Sequence, residues 1–110
     1  MIVEYIRYKL NEHPAESGES IVGALEAAYR AAAPSLDASP HCLGYELSRC
    51  VEERDRYILR IEWDSVEGHL AGFRRAPEFA NFLAAIKPYI SRIEEMQHYT
   101  LTSVASSKRK

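Results

Sequence analysis

The chain has 110 residues, of which 46% are hydrophobic and 27% charged, with a formal net charge of −2. This describes one globular domain and excludes both a disordered chain and the strongly basic balance of a nucleic-acid binder. No run of ~18 apolar residues offers a membrane span, and "MIVEYIRYKL" lacks the basic-then-apolar order of a signal peptide, so a cytoplasmic protein is expected.

Residues 2 to 10 are rich in Ile, Val and Tyr and predict a strand, closed by the turn-forming "NEHPAESGES". From Ile21 the apolar period lengthens. Ile21, Leu25, Ala28 and Ala32 fall at i, i+4, i+7 and i+11, which predicts an amphipathic helix ending near Pro34. Segments 41–50 and 56–63 read as strands joined by the polar "VEERD", hence an antiparallel hairpin. Cys42 and Cys50 would then sit on one extended strand roughly 26 Å apart. A disulfide needs α-carbons within about 7 Å, so two free thiols are expected.

Asp64 and Glu67 have the spacing of a capping box for a helix carrying Leu70 and Phe73. "APEF" starts another, with Pro77 in its first turn and an apolar stripe of Phe79, Phe82, Leu83, Ile86 and Ile90, ended or kinked by Pro88. A fourth strand is expected at about 94–104, and residues 105–110 form a basic, solvated tail beyond a single domain at 1–104.

Strand, helix, strand, strand, helices, strand is the βαββαβ order of an α+β, ferredoxin-like fold with an antiparallel sheet. On the first strand Ile2, Ile6, Tyr8 and Leu10 share one parity and Val3 and Tyr5 the other, so both sheet faces ask for cover. The helices supply one cover. A second copy of the sheet is the simplest other, which predicts a homodimeric α+β barrel.

The stretch "RIEWDSVEGHLAGFRRAPEFANFLAAIKPYI", residues 60 to 90, resembles the antibiotic biosynthesis monooxygenase family of dimeric α+β barrels. The marks are Glu62-Trp63 at a strand end, the short helix after Asp64-Ser65, and the Pro77-Glu78-Phe79 helix start. The haem-degrading branch of that superfamily carries a first-strand asparagine, a tryptophan closing the third strand, which Trp63 matches, and a haem-ligating histidine on the last helix. Here no asparagine precedes Asn11 and "EFANFLAAIKPY" has no histidine, so haem breakdown by that scheme is disfavoured. The cofactor-free branch, which oxidises phenols to quinones, has a pocket between sheet and helices that includes a tryptophan like Trp63 and a polar aromatic side chain on the next helix. His69, six residues past Trp63, takes that place.

The resemblance thus implies a monooxygenase oxidising a small phenol or hydroquinol with dioxygen and no cofactor, with His69 as the base and Trp63 as a wall and N–H donor. Tyr5, Leu59, Ile61, Phe73 and Phe82 would line the substrate pocket. An imidazole titrates near neutral pH and suits removal of a phenolic proton. Arg60 and Glu62, on the opposite parity from Trp63, would set dimer register between paired sheets, with Arg60 as electrostatic stabiliser the sharper alternative. Nucleotide-binding glycine loops are absent, and so are metal spacings: His13, His41, His69 and His98 form no HxH or HxxxH pair. No metal is expected, since His41 and His98 fall on opposite edge strands and could meet a common ion only across a dimer. The competing reading is a non-catalytic dimer of the same fold that binds an aromatic metabolite or serves as an interaction module.

Overall fold

The computed structural model describes residues 1–10 and 18–107. β1 (Ile2–Lys9) is followed by α1 (Gly18–Ala38), the hairpin of β2 (Cys42–Arg49) and β3 (Arg56–Trp63), one turn of π-helix (Gly68–Phe73), α2 (Glu78–Ile86), a 3-10 segment (Lys87–Arg92) and β4 (Ile93–Thr100). The strands form one antiparallel sheet in the order β2-β3-β1-β4. This is the ferredoxin-like α+β arrangement expected from the order of elements. The turn predicted at "NEHPAESGES" falls largely, and the Lys108–Lys110 end of the tail wholly, outside the described residues.

Strand register assigns every side chain to a face. Ile2, Glu4, Ile6 and Tyr8 lie opposite Trp63, Ile61, Leu59 and Tyr57, and Glu4 and Ile6 lie opposite His98 and Met96 on the other side of β1. Directly opposed residues share a face, so this set forms the layer under the helices. The remaining parity, Val3, Tyr5 and Arg7 with Glu62, Arg60 and Ile58, forms the outer face. Tyr5 therefore stands away from the helices, with its ring edge-on to Tyr99 at 5.4 Å. That corrects its expected place in the pocket wall: register puts it on the far side of the sheet from Trp63.

α1 covers the β3 side of the sheet with Leu25, Tyr29, Ala32 and Leu36, all buried in the common core. The helix runs through Pro34 rather than ending there. Proline inside a helix removes one hydrogen bond and costs ~3 kcal/mol. Continuation buries Ser35 and Leu36, the next two residues, while Pro34 itself faces solvent, and that burial offsets the loss. Polar tips inside this layer are paired: the Tyr8 and Tyr29 hydroxyls bond each other, and the Tyr57 hydroxyl donates to Glu26 of α1. Pro88 acts as expected, since the α-helical spacing stops at Ile86 and a 3-10 segment follows. Cys42 and Cys50 are both unbridged. No helix among the described residues is long and apolar enough to cross a membrane.

Leu59 is fully buried between β1, β2 and the helix layer. Leu59→Ala should lower unfolding free energy by about 2–5 kcal/mol, read as a fall in the urea midpoint. Val51→Ala, at a side chain 87% exposed in the hairpin turn, should stay within about 0.5 kcal/mol of the parent.

Candidate functional site

The site is built where β3 ends. Trp63 is the last residue of β3 and is 0% exposed. The chain leaves it through Asp64 and Ser65 into a helical turn whose start is capped by Ser65: its hydroxyl accepts the Gly68 N–H at 2.8 Å. Asp64, the expected cap, is engaged elsewhere, bonding Nδ1 of His41 at 2.8 Å. A side chain at Gly68 or Gly72 would collide with Asp64 or His41, since an added Cβ would lie 2.0 Å from Asp64 Oδ1 or 2.3 Å from His41 Cδ2. The two glycines thus let the turn lie against the β2 end of the sheet.

That turn has π-helical spacing, with the Arg74 N–H reaching back five residues to the His69 carbonyl at 3.0 Å. The wider turn rotates His69 inward and Leu70 outward: His69 is 4% exposed and Leu70 42%. The apolar pattern predicts Leu70 inward alongside Phe73. His69 stacks on the indole of Trp63, with ring centroids 4.4 Å apart and planes 14° from parallel. Phe73, one turn on, packs at 5.2 Å from the same indole and continues edge-on to Phe79 and Phe82 of α2.

Beneath this stack lies Glu4, a carboxylate in the middle of β1 that is only 1% exposed. It accepts the indole N–H of Trp63 at 3.0 Å, and the same oxygen stands 3.6 Å from Nε2 of His69. Nδ1 of His69 is hydrogen-bonded to Nε2 of His98 at 2.7 Å. Glu4, His69 and His98 therefore form one polar string running from beneath the indole to edge strand β4. Sequence reasoning missed two of its members. The signal for Glu4 was present, because it is the one charged residue on the β1 parity that also carries Ile2, Ile6, Tyr8 and Leu10. His98 carried no such signal; only the pairing of β4 with β1 sets it opposite Glu4.

Burial dominates the electrostatics. It raises the Glu4 carboxyl above the usual carboxylate range, against the Trp63 hydrogen bond and the Arg74 charge, which pull it down. It pushes the His69 imidazole down to about 3, helped by the positive field of Arg74 and by His98. His98 is lowered by the same two influences, burial first and then Arg74.

The string opens onto a cavity of about 130 Å³ between sheet and helices. Glu4, His69 and Arg74 line it with Trp63, Phe73, Phe79, Phe82, Ile6, Ile61 and a rim from Leu83 to Met96. Trp63, His69, Ile61, Phe73 and Phe82 are thus brought together as expected. Leu59 is core packing away from this wall, and Tyr5 is on the opposite face. Trp63 cannot offer its N–H to a ligand while Glu4 holds it. Within one chain, Glu4, His69 and His98 also place their donor atoms within 4.8 Å of one another, whereas the sequence suggested that histidines could converge only across a dimer.

A strand-terminal tryptophan under a helical turn, facing an apolar cavity in a ferredoxin-like domain, defines a class. The model of the antibiotic biosynthesis monooxygenase family matches residues 15–85, and the chain belongs to that family. It is 30% identical over 81 residues, 74% of this chain and 85% of the other, to the uncharacterised protein YczJ of Bacillus subtilis. Rv0793 of Mycobacterium tuberculosis shares the fold with a TM-score of 0.68 at 20% identity, over 96% of this chain and 98% of that one. SnoaB, a cofactor-independent oxygenase of Streptomyces nogalater, superposes with a TM-score of 0.67 at 12% identity, over 98% and 97% of the two chains.

The depressed His69 fixes a pH dependence. Above about pH 6.5 the imidazole is neutral in both folded and unfolded chains; below it the unfolded chain binds a proton that the native site refuses until about pH 3. Stability supplied by this group is therefore present above pH 6.5 and lost as pH falls. Glu4 works in the opposite sense, its contribution being lost as pH rises through its elevated value. In EDTA-treated protein, the stability advantage of wild type over His69→Gln should shrink by ~2 kcal/mol between pH 7 and pH 5, measured by urea unfolding at each pH.

Proposed function

We propose that the protein is a monooxygenase that oxidises a small, single-ring phenol or hydroquinol with dioxygen, using neither metal nor organic cofactor. The observation that carries this is the cavity itself: about 130 Å³, apolar on most sides, with its polar groups gathered at the Trp63 end. An apolar cavity of about 150 Å³ holds a benzene ring, so one ring fits and a flat polycycle would need the rim to open. Family membership and the likeness to an oxygenase support the reading.

In this reading Nδ1–H of His69 donates to Nε2 of His98 and so leaves the Nε2 lone pair of His69 to accept the substrate's phenolic proton. No hydrogen bond ties that nitrogen to Glu4 at 3.6 Å. The Glu4 carboxylate instead stands ready for the imidazolium as it forms, stabilising charge that is absent in the ground state. Such help is needed, because an imidazole held at about 3 is a weak base on its own. The substrate anion reacts with dioxygen. One oxygen atom enters the ring and the other leaves as water, a hydroquinol giving a hydroxyquinone. The substrate supplies the four electrons, so no external reductant is required. Trp63 and Phe73 form the wall against which the ring rests, and water is excluded.

Oxygen uptake over a panel of hydroquinols tests this. Glu4→Gln and His69→Ala should each lower kcat by about 10²–10³, and Trp63→Phe, which frees Glu4, by less; unchanged rates in the first two variants would end the assignment. The low basicity of His69 favours a second reading, a binding protein for the same ligands, and that one requires saturable binding with no oxygen uptake.

A homodimer completes the picture. The outer face presents Tyr5, Ile58 and Tyr99 around the Arg60–Glu62 ion pair at 2.6 Å, a surface suited to a second copy. The two unpaired thiols suit a reducing, cytoplasmic setting. Sedimentation of wild type at about 10 µM should give a dimer and Tyr5→Arg a monomer; a monomeric wild type would remove this part.

A further inference from the structure

We propose that Glu4, His69 and His98 together bind one divalent transition-metal ion per chain. The site lies beyond the metal-free chemistry proposed above and stands on geometry. Three side chains from three separate elements, β1, the π-helical turn and β4, bring one donor atom each within 4.8 Å of the others. Two imidazoles and one carboxylate make a donor set that favours Zn²⁺, Co²⁺, Fe²⁺ or Cu²⁺ over Ca²⁺ or Mg²⁺, which prefer oxygen ligands.

The adjustment required is small. Ligand atoms sharing an ion at bond lengths of about 2.1 Å lie roughly 3.0–3.4 Å apart. Nδ1 of His69 and Nε2 of His98, now 2.7 Å apart across a hydrogen bond, need to part by a few tenths of an ångström, the proton between them moving to Nε2 of His69. The Glu4 carboxylate needs to swing inward by about 1 Å. The supports of a metal site are already in place: the Trp63 N–H orients the Glu4 carboxylate, and stacking on the indole fixes the His69 ring plane. Three protein ligands leave further positions of the ion facing the cavity. Arg74, which lines the same cavity, opposes a cation there.

Binding has a consequence that rests on the functional reading above. An ion on Nδ1 forces the remaining proton of His69 onto Nε2, the nitrogen assigned to accept the substrate proton. The ion and the base are therefore mutually exclusive, and metal inhibits a metal-free oxygenase.

The test uses the untagged full chain stripped with EDTA. Calorimetric titration with Zn²⁺ should give one ion per chain with Kd near or below about 1 µM. Glu4→Gln and His98→Gln should each weaken binding by about 10–100-fold, while Arg74→Gln should tighten it several-fold. Co²⁺ should report the ligation through visible d–d absorption that His98→Gln alters, a signature independent of affinity. No saturable binding below about 100 µM, or the same Kd and spectrum in both ligand variants, would overturn the site. Oxygen uptake separates the two claims. A fall with Zn²⁺ occupancy supports both, and a rise with Fe²⁺ keeps the site while overturning metal-free chemistry. Ion binding without any uptake keeps the site and removes the oxygenase.

Discussion

A carboxylate held out of water beneath an indole organises the functional end of this domain. Glu4 sits in the second row of the sheet, where its neighbours on β1 and β3 are apolar, and its ionised form is tolerated only through the partners that reach it. The Trp63 N–H supplies one partner, and the indole is thereby fixed in plane and depth. His69 lies flat on the indole, and His98 meets the free side of His69. Remove the carboxylate and nothing dictates where the indole N–H points, so the stack above it loses its reference.

The π-helical turn converts this into a site. In a regular α-helical turn His69 and Leu70 would flank the buried Phe73 on either side, since positions i+4 and i+3 both share its face when successive residues step by about 100°. The extra residue in the turn swings Leu70 outward and leaves the imidazole beside Phe73 on the buried face. Local departures of this kind are frequent at functional sites and carry a conformational cost. Here the stacking and the absence of side chains at Gly68 and Gly72 make the departure tolerable.

Electrostatically the site is tuned by dryness more than by charge pairing. Burial is the leading cause of the shift at Glu4, His69 and His98 alike, and Arg74 adds a positive field that keeps both imidazoles neutral. Neutral imidazoles beside a buried carboxylate can accept a proton, hold an ion or simply pair with one another. Which of these operates depends on what enters the cavity.

Much of the architecture was written in periodicity. The alternation of β1 and β3, the 3.6-residue stripes of α1 and α2, and the stop at Pro88 each follow from local steric and hydrophobic rules, so strand order and helix placement were readable one segment at a time. The length of α1 beyond Pro34 was not, since burial of Leu36 outweighs a local breaker. The aromatic wall of Trp63, Phe73 and Phe82 was legible for the same reason as the core: apolar residues at these spacings must face inward. The polar string was not legible. Glu4, His69 and His98 are 65 and 29 residues apart in sequence, and their meeting depends on β1 pairing with β4 at one register and on one widened helical turn. Sequence by itself determined most of the apolar core of the strands and long helices, because burial of apolar residues follows from their own hydrophobicity and their periodic neighbours. Only the tertiary structure decided which buried polar atoms touch, because hydrogen bonds are short and directional and no local pattern encodes the distance between strands far apart in the chain.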